Sequence, residues 1–192
     1  MPSHPETSLR DPYERFTAWR KGINDAAMCL ATVSPEGEPA ARIVLLAGFD
    51  RQGFRFFTSY DSQKAHHLDA TPCGALVWYW PPGRQIRATG AVRRVSAAEA
   101  DTFWETRPRE HQLSVWASPQ SSVVAGRTVL EERLAATTTR FGNLVVPRPP
   151  NWGGYLLAPD LFEFWRQSDD RLHDRHRYRS VNGQWLIEYL AP

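Results

Sequence analysis

About eight short apolar runs, separated by turns rich in Gly and Pro and interrupted only at intervals by helical segments, predict a mainly β protein. The runs never alternate with helices in the βα rhythm of a doubly wound sheet, and no internal repeat or low-complexity tract divides the chain. The expected architecture is an antiparallel barrel with helical insertions, a single domain over residues 1–192 whose first ten residues are flexible.

Asp11-Pro12 predicts the start of a helix, with an acid at the N-cap and Pro at the first helical position. Tyr13, Phe16, Trp19 and Ile23 recur at helical spacing, so this helix docks one face on a core and ends near Gly22–Asn24. Strands follow at Met28–Val33, Ala41–Phe49, Phe54–Thr58, Ala75–Trp80 and Gln85–Val95, with a short helix from Ser62 between the third and fourth. Pro81-Pro82-Gly83-Arg84 reads as a hairpin tip. Ser96-Ala97-Ala98-Glu99 is a capping box that opens a helix to about Thr106, and Val129–Phe141 predicts another helix. After the Pro-rich stretch Pro147–Pro150, strands are expected at Tyr155–Leu157, Leu161–Trp165, Arg175–Arg179 and Trp185–Leu190.

Composition narrows the function classes. The 23 Lys and Arg nearly cancel the 21 Asp and Glu, so the net charge of +2 gives no polyanion-binding surface and no nucleic-acid partner is expected. Lys21 and Lys64 are the only lysines, which leaves almost all positive charge on guanidinium groups suited to small anions. Cys29 and Cys73 lie in apolar runs and read as buried free thiols of a reducing cytoplasm. No apolar stretch has the length of a membrane span, so a cytoplasmic protein without a membrane partner is expected. His66 and His67 are adjacent and cannot share one helix face as metal ligands, and no metal is expected.

Phosphate loops of the Rossmann or Walker type, the Gly-x-Ser-x-Gly elbow and Cys-x-x-Cys are all missing. Polar residues stand instead at strand ends. Arg42 opens the apolar run Ile43-Val44-Leu45-Leu46, and is either a strand-edge arginine or one with an anionic partner. Thr58 to Lys64 joins a strand to a helix and gathers hydroxyls, helix-start amides and a lysine, as a phosphate site requires; an ordinary N-cap with a solvated lysine fits equally. Gln120-Ser121-Ser122 is a similar polar run. Arg171, His173 and Arg175 alternate, so on one strand they would project to a single face and serve an anion or an electron-rich ring; a salt-bridged surface strand is the alternative.

Taken as an ordered set, these runs resemble the pyridoxine/pyridoxamine 5′-phosphate oxidase family. They are Arg42–Leu46, Phe57-Thr58 with Ser62–His66, Arg107-Pro108-Arg109, Gln120–Ser122, Trp152-Gly153-Gly154, Phe164-Trp165, Arg171–Arg175 and Leu190-Ala191-Pro192. The resemblance runs from about Asp11 to Pro192 and implies an FMN-binding split β-barrel, Greek-key-like and homodimeric, with FMN at the subunit interface. It implies FMN contacts from Arg42, Ile43, Val44, Leu45, Phe57, Thr58, Gln63, Lys64, Gln85, Gln120, Ser121, Trp165 and Arg175, and substrate orientation by Arg171 and His173. Gln63 stands where the family usually carries an arginine. On the substrate side, the lysine, tyrosine, arginine and serine that grip a phosphate correspond to Ala47, Phe103, Arg107 and His111, so only the arginine is kept; Arg109 is a further candidate.

Those departures resemble the phenazine-biosynthesis branch of flavin oxidases. The implied activity is two-electron oxidation of a small polar heterocycle with O2 as acceptor. The alternatives are pyridoxine/pyridoxamine 5′-phosphate oxidation and a non-catalytic flavin or pyridoxal-phosphate carrier.

Overall fold

The computed structural model describes residues 9–192. Its helices are α1 (Pro12–Arg20), α2 (Gln63–Ala70), α3 (Ala97–Glu105), α4 (Arg109–Ala117) and α5 (Arg127–Phe141). Its strands are β1 (Ala27–Val33), β2 (Pro39–Leu45), β3 (Gly48–Asp50), β4 (Gly53–Ser59), β5 (Cys73–Trp80), β6 (Arg84–Arg94), β7 (Trp152–Arg166), β8 (Asp174–Val181) and β9 (Gln184–Tyr189). All strand pairs are antiparallel.

Strand order is β2-β1-β5-β6-β7-β4-β3, with β8 and β9 added beside β7. β2 and β3 stand at opposite ends of that order, yet only Leu46 and Ala47 separate them in the chain. The sheet must therefore curl until its ends meet, and the backbone bonds Leu46 N to Ala26 O and Ala47 N to Arg55 O sit at that seam. The run expected as one strand over Ala41–Phe49 is thus two strands split at the seam. β7 is the opposite correction: two expected strands are one of 15 residues. One edge pairs with β6 from Tyr155 to Arg166, while its other edge serves β4 over Trp152–Leu157 and β8 over Leu161–Arg166. That fork splits the barrel.

α1 closes one end. Asp11 caps it, accepting from the Tyr13 and Glu14 amides, and Gly22 at φ 80° turns the chain away after its last turn. Phe16 inserts among Phe49, Phe54 and Trp78, ring centroids 4.8–4.9 Å away. Burial of rings this size supplies a large share of the core's hydrophobic stabilisation. Only the Ser96 half of the capping box forms, its Oγ accepting from Glu99 N, while Glu99 Oε1 accepts from Arg55 Nε. Pro81-Pro82-Gly83 forms the β5–β6 tip, with a cis Pro81-Pro82 bond.

Several expectations change. Ile43 and Leu45 are not buried: β2 is a sheet-end strand and each is 66% exposed. Cys29 is half-buried and Cys73, at the start of β5, is exposed; both are free thiols. α4 has no counterpart among the expected helices. The flexible segment expected over residues 1–10 falls largely on residues 1–8, outside the described ones, while the Leu9 carbonyl accepts a bond from Tyr178 Oη at 2.7 Å. No described helix is long and apolar enough to cross a membrane.

Candidate active site

β4 ends in Thr58-Ser59, and a tight turn delivers the chain into α2. Lys64, buried in the first turn of α2, donates from Nζ to Thr58 Oγ1 at 3.2 Å. Thr58 Oγ1 donates in turn to Gln120 Oε1 at 3.0 Å, and the same oxygen accepts from Ser59 N at 2.9 Å. Ser62 occupies the N-cap position, but its Oγ donates to Ser59 O at 2.8 Å, and no side chain caps α2. The helix start thus keeps amide donors without a side-chain acceptor, beside a lysine and two hydroxyls.

Arg42 reaches the same place from β2. Its Nη1 donates to Leu30 O at 3.1 Å and to Thr32 Oγ1 at 2.7 Å. Burial pushes the Arg42 guanidinium down from its usual value. Burial also pushes Lys64 down, and the Arg42 charge adds to that shift. Among the described residues no carboxylate pairs with either group. Two partly desolvated cations kept side by side without a counter-ion are unfavourable until an anion joins them. The residues present therefore fit a phosphate group.

The two cations open on a hollow of about 580 Å³ lined by Ile43, Val44 and Leu45 of β2, Ala47 at the seam, and Phe103 and Arg107. A second hollow of about 370 Å³ adjoins it and shares Phe57, Thr58, Arg107 and Gln120. One wall is an aromatic slab: Phe103 lies flat on Phe57 (centroids 3.9 Å, interplanar 6°), and Trp152 continues the stack at 18° to Phe57. Gly154 permits that stack, since a Cβ there would stand 2.7 Å from Phe57 Cε1. Arg107 lies over Trp152 at 5.1 Å, its Nε is buried without a hydrogen-bond partner, and burial alone pushes its pKa down.

The remaining expected residues lie elsewhere. Arg109 donates to Leu144 O at 2.7 Å and Gly142 O at 2.5 Å, so it caps the end of α5 rather than lining the hollow. His111 is exposed on α4 and lines neither hollow; Gln63 and Ser121 are also exposed and line neither one, Ser121 with φ 67°. Gln85, Trp165 and Arg175 form a cross-strand row over β6, β7 and β8 that no hollow-lining residue joins. Arg175 is not free for an anion. Both its Nε and Nη2 donate to Glu163 Oε1 (2.9 and 2.7 Å), Nη1 donates to Ala191 O, and Arg87 takes the other Glu163 oxygen.

Arg171, His173 and Arg175 do not share a strand face, because β8 begins only at Asp174. Arg171 sits in a turn at φ 65°, exposed. His173 packs on Trp165 (centroids 4.8 Å), and its Nδ1 accepts from Ser168 N at 3.1 Å. A single chain thus holds two separate sets: the groove around Arg42, Lys64 and Arg107, and the row around Trp165 with its adjoining turn. Glu163, Thr32 and His67 were not foreseen. A lone acid in an apolar run and a threonine in a strand carry no local signal, because their partners come from other strands.

A split barrel whose groove gathers two partly desolvated cations beside an uncapped helix start has the make-up of a site for an anionic ligand. The family comparisons are more specific. Residues 17–141 match the family described as pyridoxamine 5′-phosphate oxidase, and residues 152–192 match the pyridoxine 5′-phosphate oxidase C-terminal dimerisation region. The chain belongs to the pyridoxamine 5′-phosphate oxidase family and is an oxidoreductase of that type. It is 50% identical to pyridoxine/pyridoxamine 5′-phosphate oxidase of Pseudomonas putida (strain GB-1), covering 95% of this chain and 89% of that protein. The protein of the same name from Cyanothece sp. (strain PCC 7425) is 47% identical, with the same coverage. Among solved structures, PhzG from Burkholderia lata 383, in complex with tetrahydrophenazine-1-carboxylic acid, superposes with a TM-score of 0.90 at 29% identity, over 99% of this chain and 98% of that one. A pyridoxamine 5′-phosphate oxidase-related FMN-binding protein from Nostoc punctiforme PCC 73102 shares the fold, with a TM-score of 0.74, 22% identity, and coverage of 96% of this chain and 99% of that one.

Proposed function

We propose that this chain is an FMN-dependent oxidase acting on a small, flat heterocycle that carries one carboxylate-like anion, a substrate of the specialised-metabolite kind, with O2 as the acceptor. The observation that carries the substrate class is Arg107. It is the one guanidinium of the hollow on the side of the aromatic slab, its buried Nε lacks a partner, and neither Ala47 nor Phe103 adds a polar side-chain atom beside it. One guanidinium matches a carboxylate in charge and in its planar fork, whereas a phosphate dianion calls for more donors. The slab of Phe103, Phe57 and Trp152 offers a flat apolar wall for a ring system.

Arg42 and Lys64 hold the FMN phosphate, with Thr58, Gln120 and Ser121 along the ribityl chain and the β2 backbone of Ile43 to Leu45 beside it. Gln85, Trp165 and Arg175 belong to the other half of the site and come from the partner subunit. Their separation from the groove within one chain supports that division, as does the dimerisation region over residues 152–192, which contains Trp165 and Arg175. Arg171 and His173 stand in the same region and orient the substrate; the Ser168 bond and the Trp165 ring fix the imidazole. The chemistry FMN would supply when bound is acceptance of two electrons and a proton from the substrate and their delivery to O2, which leaves as hydrogen peroxide after taking the second proton that the oxidised substrate releases.

The second reading is oxidation of pyridoxine or pyridoxamine 5′-phosphate, which the names of the relatives at 47–50% identity favour. Turnover by the wild type and by Ala47→Lys, followed as peroxide release, separates the two. The first reading expects the wild type to prefer a reduced tricyclic carboxylate, and the lysine to raise kcat/KM for pyridoxine 5′-phosphate about tenfold, the yield of one charge-assisted phosphate contact. Efficient wild-type turnover of pyridoxine 5′-phosphate with no gain from the lysine overturns it in favour of the second.

A further inference from the structure

Arg42 is held from behind by a chain of groups that the family resemblance does not include. Thr32 on β1 is 2% exposed, and its Oγ1 accepts from Arg42 Nη1 at 2.7 Å while lying 3.2 Å from Nδ1 of His67 on α2. A guanidinium can only donate, so the hydroxyl is the acceptor toward Arg42. The hydroxyl keeps its own proton and a second lone pair, so it can bond His67 Nδ1 in either tautomer of the ring. His67 is 8% exposed, whereas its neighbour His66 points to solvent. Thr32 thus ties the Arg42 guanidinium on β2 to the His67 imidazole on α2 through two side-chain hydrogen bonds, and bonds in such a chain reinforce one another.

This chain answers a specific problem. Arg42 and Lys64 repel each other, and an arginine on a sheet-end strand has open solvent to swing into. Both anchors of Arg42, Leu30 O and Thr32 Oγ1, are on the same nitrogen, which leaves Nε and Nη2 for a ligand. Leu30 is the cross-strand partner of Arg42, and Thr32 lies two residues further along the same face. The charged and titratable groups around the chain are Lys64 on α2 and Cys29 on β1 beside Arg42, and Glu36 in the β1–β2 turn beside His67.

We infer that Thr32 and His67 are positioning residues that hold the Arg42 guanidinium in place for the cofactor's phosphate. This inference rests on the reading that the Arg42–Lys64 groove takes that phosphate. Because FMN and riboflavin differ only in the phosphate, the ratio of their affinities for the apoprotein reports the phosphate contact alone, and general damage to the fold moves both together.

The test is a flavin-fluorescence titration of apoprotein variants with FMN and with riboflavin. Thr32→Val keeps the shape and removes the hydroxyl; the FMN-to-riboflavin affinity ratio should fall about tenfold, with riboflavin binding unchanged. Thr32→Ser should restore the ratio, His67→Leu should lower it about threefold, and His67→Gln, which keeps an acceptor, should stay near wild type. The inference is overturned if Thr32→Val and His67→Leu leave the ratio unchanged, or lower both affinities equally. Arg42→Ala locates the failure: a ratio that falls in Arg42→Ala but not in the Thr32 and His67 variants sinks the positioning role alone, and a ratio unchanged in Arg42→Ala sinks the phosphate groove with it. Should Thr32→Val not fold, the two His67 variants decide the matter.

Discussion

Mild acid should unfasten α1 from β8, and the group responsible is His176. Arg15, on the buried face of α1, places Nη1 2.5 Å from His176 Nδ1 and donates to Tyr178 Oη at 3.1 Å. Its guanidinium also lies over the Phe164 ring at 4.8 Å. Since Arg15 only donates, His176 must accept, and the ring must be neutral at Nδ1. His176 is 3% exposed; burial first and the Arg15 charge second push its pKa down to about 4. An unfolded histidine takes its proton near pH 6.5 and the folded one only near pH 4, so between those values the unfolded state binds more protons. The stabilisation is complete above the upper value and is lost as pH falls toward the lower one. Linkage puts the loss at about 2 kcal/mol at pH 5, rising to about 3 kcal/mol below pH 4. Urea unfolding at about pH 7.5 and about pH 5 measures it against His176→Gln, which keeps an acceptor for Arg15 and does not titrate. The wild type should lose about 2 kcal/mol more than the variant between the two conditions. Equal losses would refute the assignment of the acid sensitivity to this contact.

Three further outcomes follow from the site. Arg107→Leu should lower kcat/KM by about 10–100-fold, the loss of a buried charge-assisted contact, with FMN affinity unchanged in a fluorescence titration. Lys64→Met should weaken FMN about tenfold or more while leaving riboflavin binding in place, read in the same titration. Gly154→Ala should cost about 1–3 kcal/mol in urea unfolding, because its Cβ drives into Phe57 and Val95.

What the sequence discloses is what is decided locally. Asp11-Pro12 and the Ser96 capping box mark α1 and α3 because a cap is a contact within four residues. α4 escapes because its first turn is polar and it buries only Leu113 and Ala117, which leaves no apolar stripe to read. The break at Leu46–Ala47 exists because the barrel closes there, and closure is a property of the whole sheet. Arg171 lies outside β8 for a local reason: Ser168, Asp169 and Asp170 are turn formers, and Asp170 Oδ1 accepts from Leu172 N at 2.9 Å. The alternation of Arg171, His173 and Arg175 in sequence therefore crosses a turn before β8 begins at Asp174. In the site, the Thr58–Lys64 cluster was legible because a strand end and a helix start adjoin in sequence. Thr32, His67 and Glu163 were not, because each acquires its partner through cross-strand register or helix docking.

Under the proposed function, a flavin held by this chain passes electrons from a flat anionic substrate to O2. Anaerobic mixing of the FMN-loaded protein with a reduced tricyclic carboxylate, and in parallel with pyridoxine 5′-phosphate, tests it most directly. The flavin absorbance should bleach rapidly with the carboxylate, more slowly with the phosphate, and return when air is admitted, with one peroxide formed per turnover. A protein that takes up FMN yet stays oxidised with both would contradict the claim of oxidase activity on these substrates and leave the carrier alternative standing.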